Sequence, residues 1–179
     1  MFFFNTKVKL VNTIVLHRVV EEKILEWEDI KINDFIKLIE LISRINRSND
    51  KSSTNKLKIN LTFDDGYSSD YNIAFPALVK NNLKATFFIV PSLIGKDGYL
   101  NWENINEMSD KGMFFGSHGL SHAPMTNLTD DEAMREFIDS KALIESKIKK
   151  EVKSFSFPFG DSNPRVEKLA LRSGYKYIY

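Results

Sequence analysis

The sequence predicts an α/β fold in which parallel strands alternate with helices. Short, mostly apolar runs rich in β-branched or aromatic residues recur at 13–16, 59–63, 84–90, 113–115, 155–159 and 175–179. The segments between them carry apolar residues three or four positions apart, which is the spacing of an amphipathic helix. Strands that are separated by helices form βαβ units, so we expect about six parallel strands in one sheet.

The first strand and the first helix are predicted from the beginning of the chain. The run at 13–16 indicates a buried strand that ends at His17. Asn33 is a suitable cap for a helix. The buried face of that helix is formed by apolar residues at helical spacing, namely Phe35, Leu38, Ile39, Ile42 and Ile45. The polar stretch at 47–56 predicts a surface loop.

Four further helices are expected after the strand at 59–63. Ser69 or Asp70 caps the first, which runs to about Asn82, and Pro76 either kinks this helix or marks its first turn.

Gly112 and Gly174 end a short helix at 102–111 and the last helix at 163–173. The residues Thr-Asp-Asp-Glu at 129–132 form a capping box that begins a long helix.

Composition sets limits on the possible functions. The chain has 179 residues, 42% of them hydrophobic, which is enough for one sizeable core, so residues 1–179 are expected to form a single domain. The 25 basic and 24 acidic residues leave a net charge of +1, which does not favour a nucleic acid partner. Because the chain has no cysteine, any metal site must use nitrogen and oxygen ligands.

The first ten residues lack the apolar core of a signal peptide, because three phenylalanines are followed at once by polar residues. No apolar run approaches the length of a membrane helix. We therefore expect no transmembrane segment and, for the chain as given, a cytoplasmic location.

Two adjacent carboxylates, Asp64 and Asp65, directly follow the alternating apolar and polar residues of 59–63. Neighbouring residues on a strand point to opposite faces, so the pair shares one pocket only where the chain already turns, which Gly66 permits. One carboxylate is suited to hold a metal ion and the other to accept a proton from water. The residues alone leave open which carboxylate has which role.

Two histidines, His118 and His122, are spaced so that both rings would lie on one face of a helical turn and hold one ion. Two imidazoles and one carboxylate leave open positions, as catalytic zinc sites do. As structural alternatives, Asp-Asp-Gly is an ordinary turn and the histidines are surface or capping residues. A metal site is favoured over these alternatives because two of the three histidines in the chain stand four positions apart in this one segment.

Together these segments resemble the polysaccharide deacetylase family, the NodB-like carbohydrate esterases, whose first two motifs are Thr-Phe-Asp-Asp-Gly and His-x-x-x-His. The segments 75–80, 83–90 and 101–105 are also similar to the family, and Phe-Ser-Phe-Pro-Phe-Gly at 155–160 resembles its third motif. The resemblance implies a distorted, incomplete (β/α) barrel. Because the family's last strands and motifs would follow Tyr179, the chain is expected to be truncated at the C-terminus.

The resemblance implies a metal-dependent hydrolase that removes acetyl groups from an N- or O-acetylated carbohydrate, which would be its partner. Asp65, His118 and His122 would hold a divalent ion, most often zinc. Asp64 would be the general base that takes the proton of the attacking water.

Four other residues are expected around the site by resemblance or by chemistry. The backbone N–H of Phe159, beside Pro158, would help to hold the oxyanion. His17 resembles the histidine of a Tyr-His-Arg segment that ends an early strand of the family, and it either lines the pocket or has a structural role. The ring of Trp102 either stacks on a sugar or anchors its own helix.

Two departures from the family are evident. Ser156 stands where many members carry an arginine that positions the base. The Leu-x-x-His motif that carries the catalytic acid, and the Asp and Trp motif before it, are not found after Gly160. Because a leaving amine must be protonated, either the chain is a truncated copy or another group supplies the proton.

Two other functions compete with this hypothesis. A catalytically impaired, carbohydrate-binding remnant of the same fold would bind metal without releasing acetate. A phosphatase-like enzyme with an aspartyl nucleophile fits less well, because that chemistry usually needs two acids one residue apart on the same side of the chain.

Overall fold

The computed structural model describes residues 12–21, 26, 28–48 and 59–179. Its strands are β1 (Asn12–Leu16), β2 (Val19–Val20), β3 (Ile30–Lys31), β4 (Ile59–Phe63), β5 (Ala85–Ile89), β6 (Phe114–Ser117), β7 (Ser154–Phe155) and β8 (Tyr177–Ile178). Its α-helices are α1 (Ile32–Ser48), α2 (Phe75–Lys80), α3 (Trp102–Asp110), α4 (Asp130–Ile148) and α5 (Pro164–Arg172). Shorter turns are a π-helical turn at Asp70–Ala74 and 3₁₀ turns at Met125–Asn127 and Pro158–Gly160.

Six of the strands form one parallel sheet in the order β1-β4-β5-β6-β7-β8, and β2 pairs with β3 separately. Among the described strands β1 and β8 are the outer ones and do not pair with each other, so the curled sheet is a half-barrel. This confirms the prediction of an α/β fold with a distorted, incomplete (β/α) barrel.

The core lies on the face of the sheet that the helices cover. Leu16, Phe63, Phe87 and Phe115 are in register across four neighbouring strands and are all buried. The ring of Phe63 stacks on that of Phe87 and meets Phe35 of α1 edge-on. Since burying one such side chain contributes roughly 1.5–3 kcal/mol, this layer holds the strands in the register that the site needs.

The predicted elements are present with small shifts at their ends. Helix α1 begins at Ile32, so Asn33 lies inside its first turn and the prediction that it caps the helix is wrong. Pro76 lies in the first turn of α2, where its missing N–H costs no helical hydrogen bond. Most of the loop predicted at 47–56 lies outside the described residues.

The long helix begins as predicted. Thr129 and Glu132 cap each other's backbone N–H groups at the start of α4. None of the helices in the described part of the chain combines the length and the apolar character that a membrane crossing requires.

Candidate metal and catalytic centre

The polar residues singled out in the sequence lie at the carboxyl ends of the parallel strands. His17 follows β1, Asp64 follows β4 and Ser156 follows β7. The backbone N–H of Asp64 donates to the carbonyl of Leu16 at 2.9 Å, which continues the ladder between β1 and β4 beyond their last paired residues. This edge is where parallel sheets of this kind place ligand-binding and catalytic groups.

The two adjacent carboxylates share one cavity because the chain turns immediately after Asp64. Asp65 and Gly66 have φ angles of 73° and 78°, in the left-handed region. A Cβ at Gly66 would lie 3.1 Å from Cγ2 of Ile89, so the turn packs tightly against β5. The expectation that the chain turns at this point is confirmed.

The segment from His118 to His122 is an irregular loop, so the prediction that both histidines lie on a helical turn is wrong. The reason is the backbone at Gly119 and His122, whose φ angles of 79° and 64° lie outside the right-handed helical region. The loop folds back on itself and still brings the two rings together, with centroids 5.0 Å apart.

The two imidazoles converge on one carboxylate oxygen. Oδ1 of Asp65 lies 3.0 Å from Nε2 of His122 and 3.5 Å from Nε2 of His118. One ligand atom from each of these three residues lies within 4.8 Å of the others. The structure therefore brings together the three residues that were expected to hold a metal ion.

The charge states of His118 and Asp65 suit metal binding. Burial lowers the pKa of His118 to about 4, so its ring is neutral near pH 7. Nδ1 of His118 donates to the backbone carbonyl of Ser156 at 2.8 Å, which leaves Nε2 free to act as a ligand. Burial opposes the ionisation of Asp65, but the nearby rings of His122 and His118 hold its pKa below the ordinary value.

Asp64 differs from Asp65 in its surroundings. Burial raises the pKa of Asp64 to about 6, against the charge of His17 and a hydrogen bond from Ser156. Ser156 Oγ donates to Oδ2 of Asp64 at 3.0 Å, while Oδ1 is buried and accepts no hydrogen bond among the described residues. A carboxylate that is ionised at neutral pH, yet more basic than usual, is suited to general-base chemistry.

All three histidines of the chain line a single cavity of about 990 Å³, near the upper end of the size range of small-molecule sites. Its walls also include Arg18, Glu28, Tyr67, Tyr99 and Tyr179. His17 therefore lines the cavity, and its ligand atom lies within 4.8 Å of those of Glu28 and Asp65.

The residues expected around the third motif and on α3 are placed differently from one another. Phe159 lines the cavity, where its ring and that of His122 meet edge-on at a centroid distance of 4.6 Å, and the residue is 71% exposed. Pro158 is buried and packs towards Gly119. Trp102 is not among the cavity-lining residues; it packs against the core beneath the ammonium of Lys147 and anchors α3.

Some residues at this centre were not predicted. Glu136 of α4 accepts three hydrogen bonds from the loop that joins the two histidines. Tyr67 and Tyr99 stack at 5.2 Å in the cavity wall, and Arg18 pairs with Asp29 at 2.8 Å while covering Tyr67. Sequence pattern gave no signal for Glu136, which is one of several acidic residues on an amphipathic helix.

Comparison with known proteins identifies the family of this chain. One curated relative is the putative polysaccharide deacetylase YxkH of Bacillus subtilis, which is 34% identical over 71% of this chain and 45% of that protein. Another is the peptidoglycan-N-acetylglucosamine deacetylase of Bacillus cereus, which is 27% identical over 69% of this chain and 56% of that protein. The chain thus spans about half the length of these relatives.

Solved structures show the same fold. The Streptococcus pyogenes deacetylase PplD, solved in complex with acetate, superposes with a TM-score of 0.80 and 22% identity over 93% of this chain and 81% of that one. A family 4 carbohydrate esterase from Streptomyces lividans, also solved with acetate, superposes with a TM-score of 0.59 and 25% identity. The match covers 67% of this chain and 60% of that one. Residues 51–178 match the polysaccharide deacetylase family, and this range includes the Asp-Asp-Gly and histidine motifs described above. The chain belongs to the polysaccharide deacetylase family.

Proposed function

We propose that this chain is a single-domain, metal-dependent hydrolase that removes acetyl groups from an N- or O-acetylated carbohydrate. The observation that carries the proposal is the convergence of Asp65, His118 and His122 in one cavity, with Asp64 beside them. Family membership supports an acetylated saccharide as the substrate, since a relative is a peptidoglycan-N-acetylglucosamine deacetylase. Membership of this family does not favour the alternative, a catalytically impaired carbohydrate-binding remnant.

The three converging residues fit a divalent ion, and zinc is the first choice. Two imidazoles and a carboxylate are ligands that zinc accepts in catalytic sites. Two ring nitrogens face one buried carboxylate oxygen, and the hydrogen bond from His118 to Ser156 has the form of an outer-shell contact that orients a ligating imidazole. Polarisation of the acetyl carbonyl and activation of water are the chemistry that such an ion supplies when bound.

Asp64 is the general base in this proposal. Its Oδ2 lies 3.9 Å from Nε2 of His118, so the base stands directly beside the proposed ligands. The hydroxyl of Ser156 fixes one carboxylate oxygen, and the other is left to receive the proton of the attacking water. Such a base typically contributes about 10²- to 10⁴-fold to the rate.

His17 is the proton donor to the leaving group in this proposal. Histidine is the commonest general acid in enzymes, and His17 is the one histidine of the described residues that is not a proposed ligand. It lines the same cavity, where the backbone bond between Asp64 and Leu16 fixes the end of β1 next to the base. The third motif completes the site, with the backbone N–H of Phe159 as the proposed oxyanion donor.

Zinc titration by calorimetry, followed by acetate release from acetylated chito-oligosaccharides, tests this function. The wild-type chain is expected to bind one zinc ion tightly and to release acetate, and His118→Ala is expected to do neither. Equal, weak zinc binding by both proteins would contradict the metal site. Tight zinc binding without acetate release from any N- or O-acetylated saccharide would instead support the remnant.

A further inference from the structure

Glu136, on α4, lies against the loop that joins the two histidines. Its Oε2 accepts hydrogen bonds from the backbone N–H of Leu120 at 2.6 Å and of Ser121 at 2.9 Å. Its Oε1 accepts a third from the hydroxyl of Ser121 at 2.7 Å. One half-buried carboxylate therefore binds the middle of the five-residue segment from His118 to His122.

This loop has a backbone that needs such support. His122 adopts a left-handed φ of 64°, a conformation that costs a residue with a side chain on the order of 1 kcal/mol or more. Gly119, with φ of 79°, approaches the carboxylate so closely that a Cβ there would lie 3.1 Å from Oε2 of Glu136. Strained conformations of this kind persist only where the surroundings fix them.

The same helix also fixes the strand end from which the loop begins. Ser140 Oγ lies 2.7 Å from Ser117 Oγ, which in turn accepts the N–H of Gly119 at 3.2 Å. With this end held, the position of His122 depends on the segment that Glu136 binds. His118 has its own support, since its ring bonds to the carbonyl of Ser156.

We infer that Glu136 is a positioning residue for the metal site: by holding Leu120 and Ser121 it keeps His122 in the orientation that converges on Asp65. The inference rests on the proposed function only in taking Asp65, His118 and His122 as the ligands. A glutamine in its place keeps the shape of the side chain but has no charge and a single acceptor oxygen, so it cannot accept all three hydrogen bonds, and those that it keeps are no longer charge-assisted.

Zinc affinity, measured by calorimetry on the full chain, separates positioning from simple charge. Glu136→Gln is compared with Asp139→Asn, which removes the same unit charge from an exposed position on the same helix. Loss of an outer-shell partner typically weakens metal binding by about 10- to 100-fold. We expect a loss of that size for Glu136→Gln, near wild-type affinity for Asp139→Asn, and metal-free melting temperatures for both close to that of the wild type.

The outcomes are distinct. Unchanged zinc affinity in Glu136→Gln, or an equal loss in both variants, would overturn the inference while leaving the metal site intact. If Glu136→Gln does not fold, Ser121→Ala removes one of the three bonds at an exposed residue and must still weaken zinc binding. Absence of zinc binding by the wild type would refute the proposed ligands themselves, and this inference with them.

Discussion

The hydroxyl of Ser156 donates a hydrogen bond to Oδ2 of Asp64 at 3.0 Å. By the family resemblance, many members carry an arginine at this position, which positions the base. In this chain the neutral hydroxyl of Ser156 contacts Asp64 instead. The backbone carbonyl of the same residue accepts Nδ1–H of His118 at 2.8 Å. A single residue at the end of β7 thus orients both the proposed base and a proposed ligand, one through its side chain and one through its backbone.

Ser156→Ala is expected to separate these two contacts. The variant loses the bond to Asp64 but keeps the carbonyl that holds His118. A hydrogen bond to a charged group contributes about 1.5–3 kcal/mol, so we expect kcat/KM for acetate release to fall by roughly 10- to 100-fold. Zinc affinity, measured on the same sample, should stay within about twofold of the wild type; a parallel loss of zinc would mean that the loop itself has moved.

The neighbouring carboxylates form a matched pair for mutation. Asp64→Asn should retain zinc binding and lose about 10²- to 10⁴-fold in acetate release, because only the base is removed. Asp65→Asn should lose both, since one of the three converging groups is gone. Zinc calorimetry and an acetate-release assay are made on both variants. If only Asp64→Asn lost zinc binding, Asp64 would be the ligand and Asp65 the base.

His17→Gln tests the proton donor through the leaving group. An amine leaves only when protonated, whereas the phenolate of an aryl acetate leaves without help. We therefore expect acetate release from an N-acetylated oligosaccharide to fall by about 10²- to 10⁴-fold, and hydrolysis of 4-nitrophenyl acetate to change little. An equal fall for both substrates would assign His17 a structural or binding role instead.

Gly116 provides a prediction about stability. A Cβ at this position would lie 2.4 Å from two ring atoms of Phe88 and 3.0 Å from the carbonyl of Ser154. Gly116→Ala should therefore lower the free energy of unfolding by roughly 1–3 kcal/mol in urea titrations. In the Phe88→Ala background the same change should cost much less, because the ring that it meets is absent; equal costs in both backgrounds would rule out this clash.

The fold and most of the site follow from local features of the sequence. Alternating strands and helical stripes predicted the parallel sheet, and the acids after β4 were correctly expected to share a pocket through a turn at Gly66. Parallel strands deliver their carboxyl ends to one edge, so motifs that follow different strands meet there. His17 was identified as a possible lining residue by the same reasoning.

Three features depend on tertiary contacts and were not predictable. The spacing of His118 and His122 suggested a helix, but spacing does not report the left-handed backbone at Gly119 that folds the loop. Glu136 looks like any exposed acid on an amphipathic helix, because its role arises from the donors that a distant loop presents to it. The ring of Trp102 fitted either role until its packing beneath Lys147 was known.

Strand β5 separates the two halves of the proposed metal site and supplies none of its ligands. Its Ile89 carbonyl accepts the N–H of His118, and its side chain packs against the turn at Gly66. The ligands therefore meet only after β4, β5 and β6 have paired and β7 has docked to hold His118. An unfolded or half-assembled chain lacks the site, so zinc would act as a selective stabiliser of the completed sheet, adding RT ln(1 + [Zn]/Kd) to its free energy of unfolding. In a cell, the supply of metal would then influence how long each copy of the protein survives, as well as how fast it works.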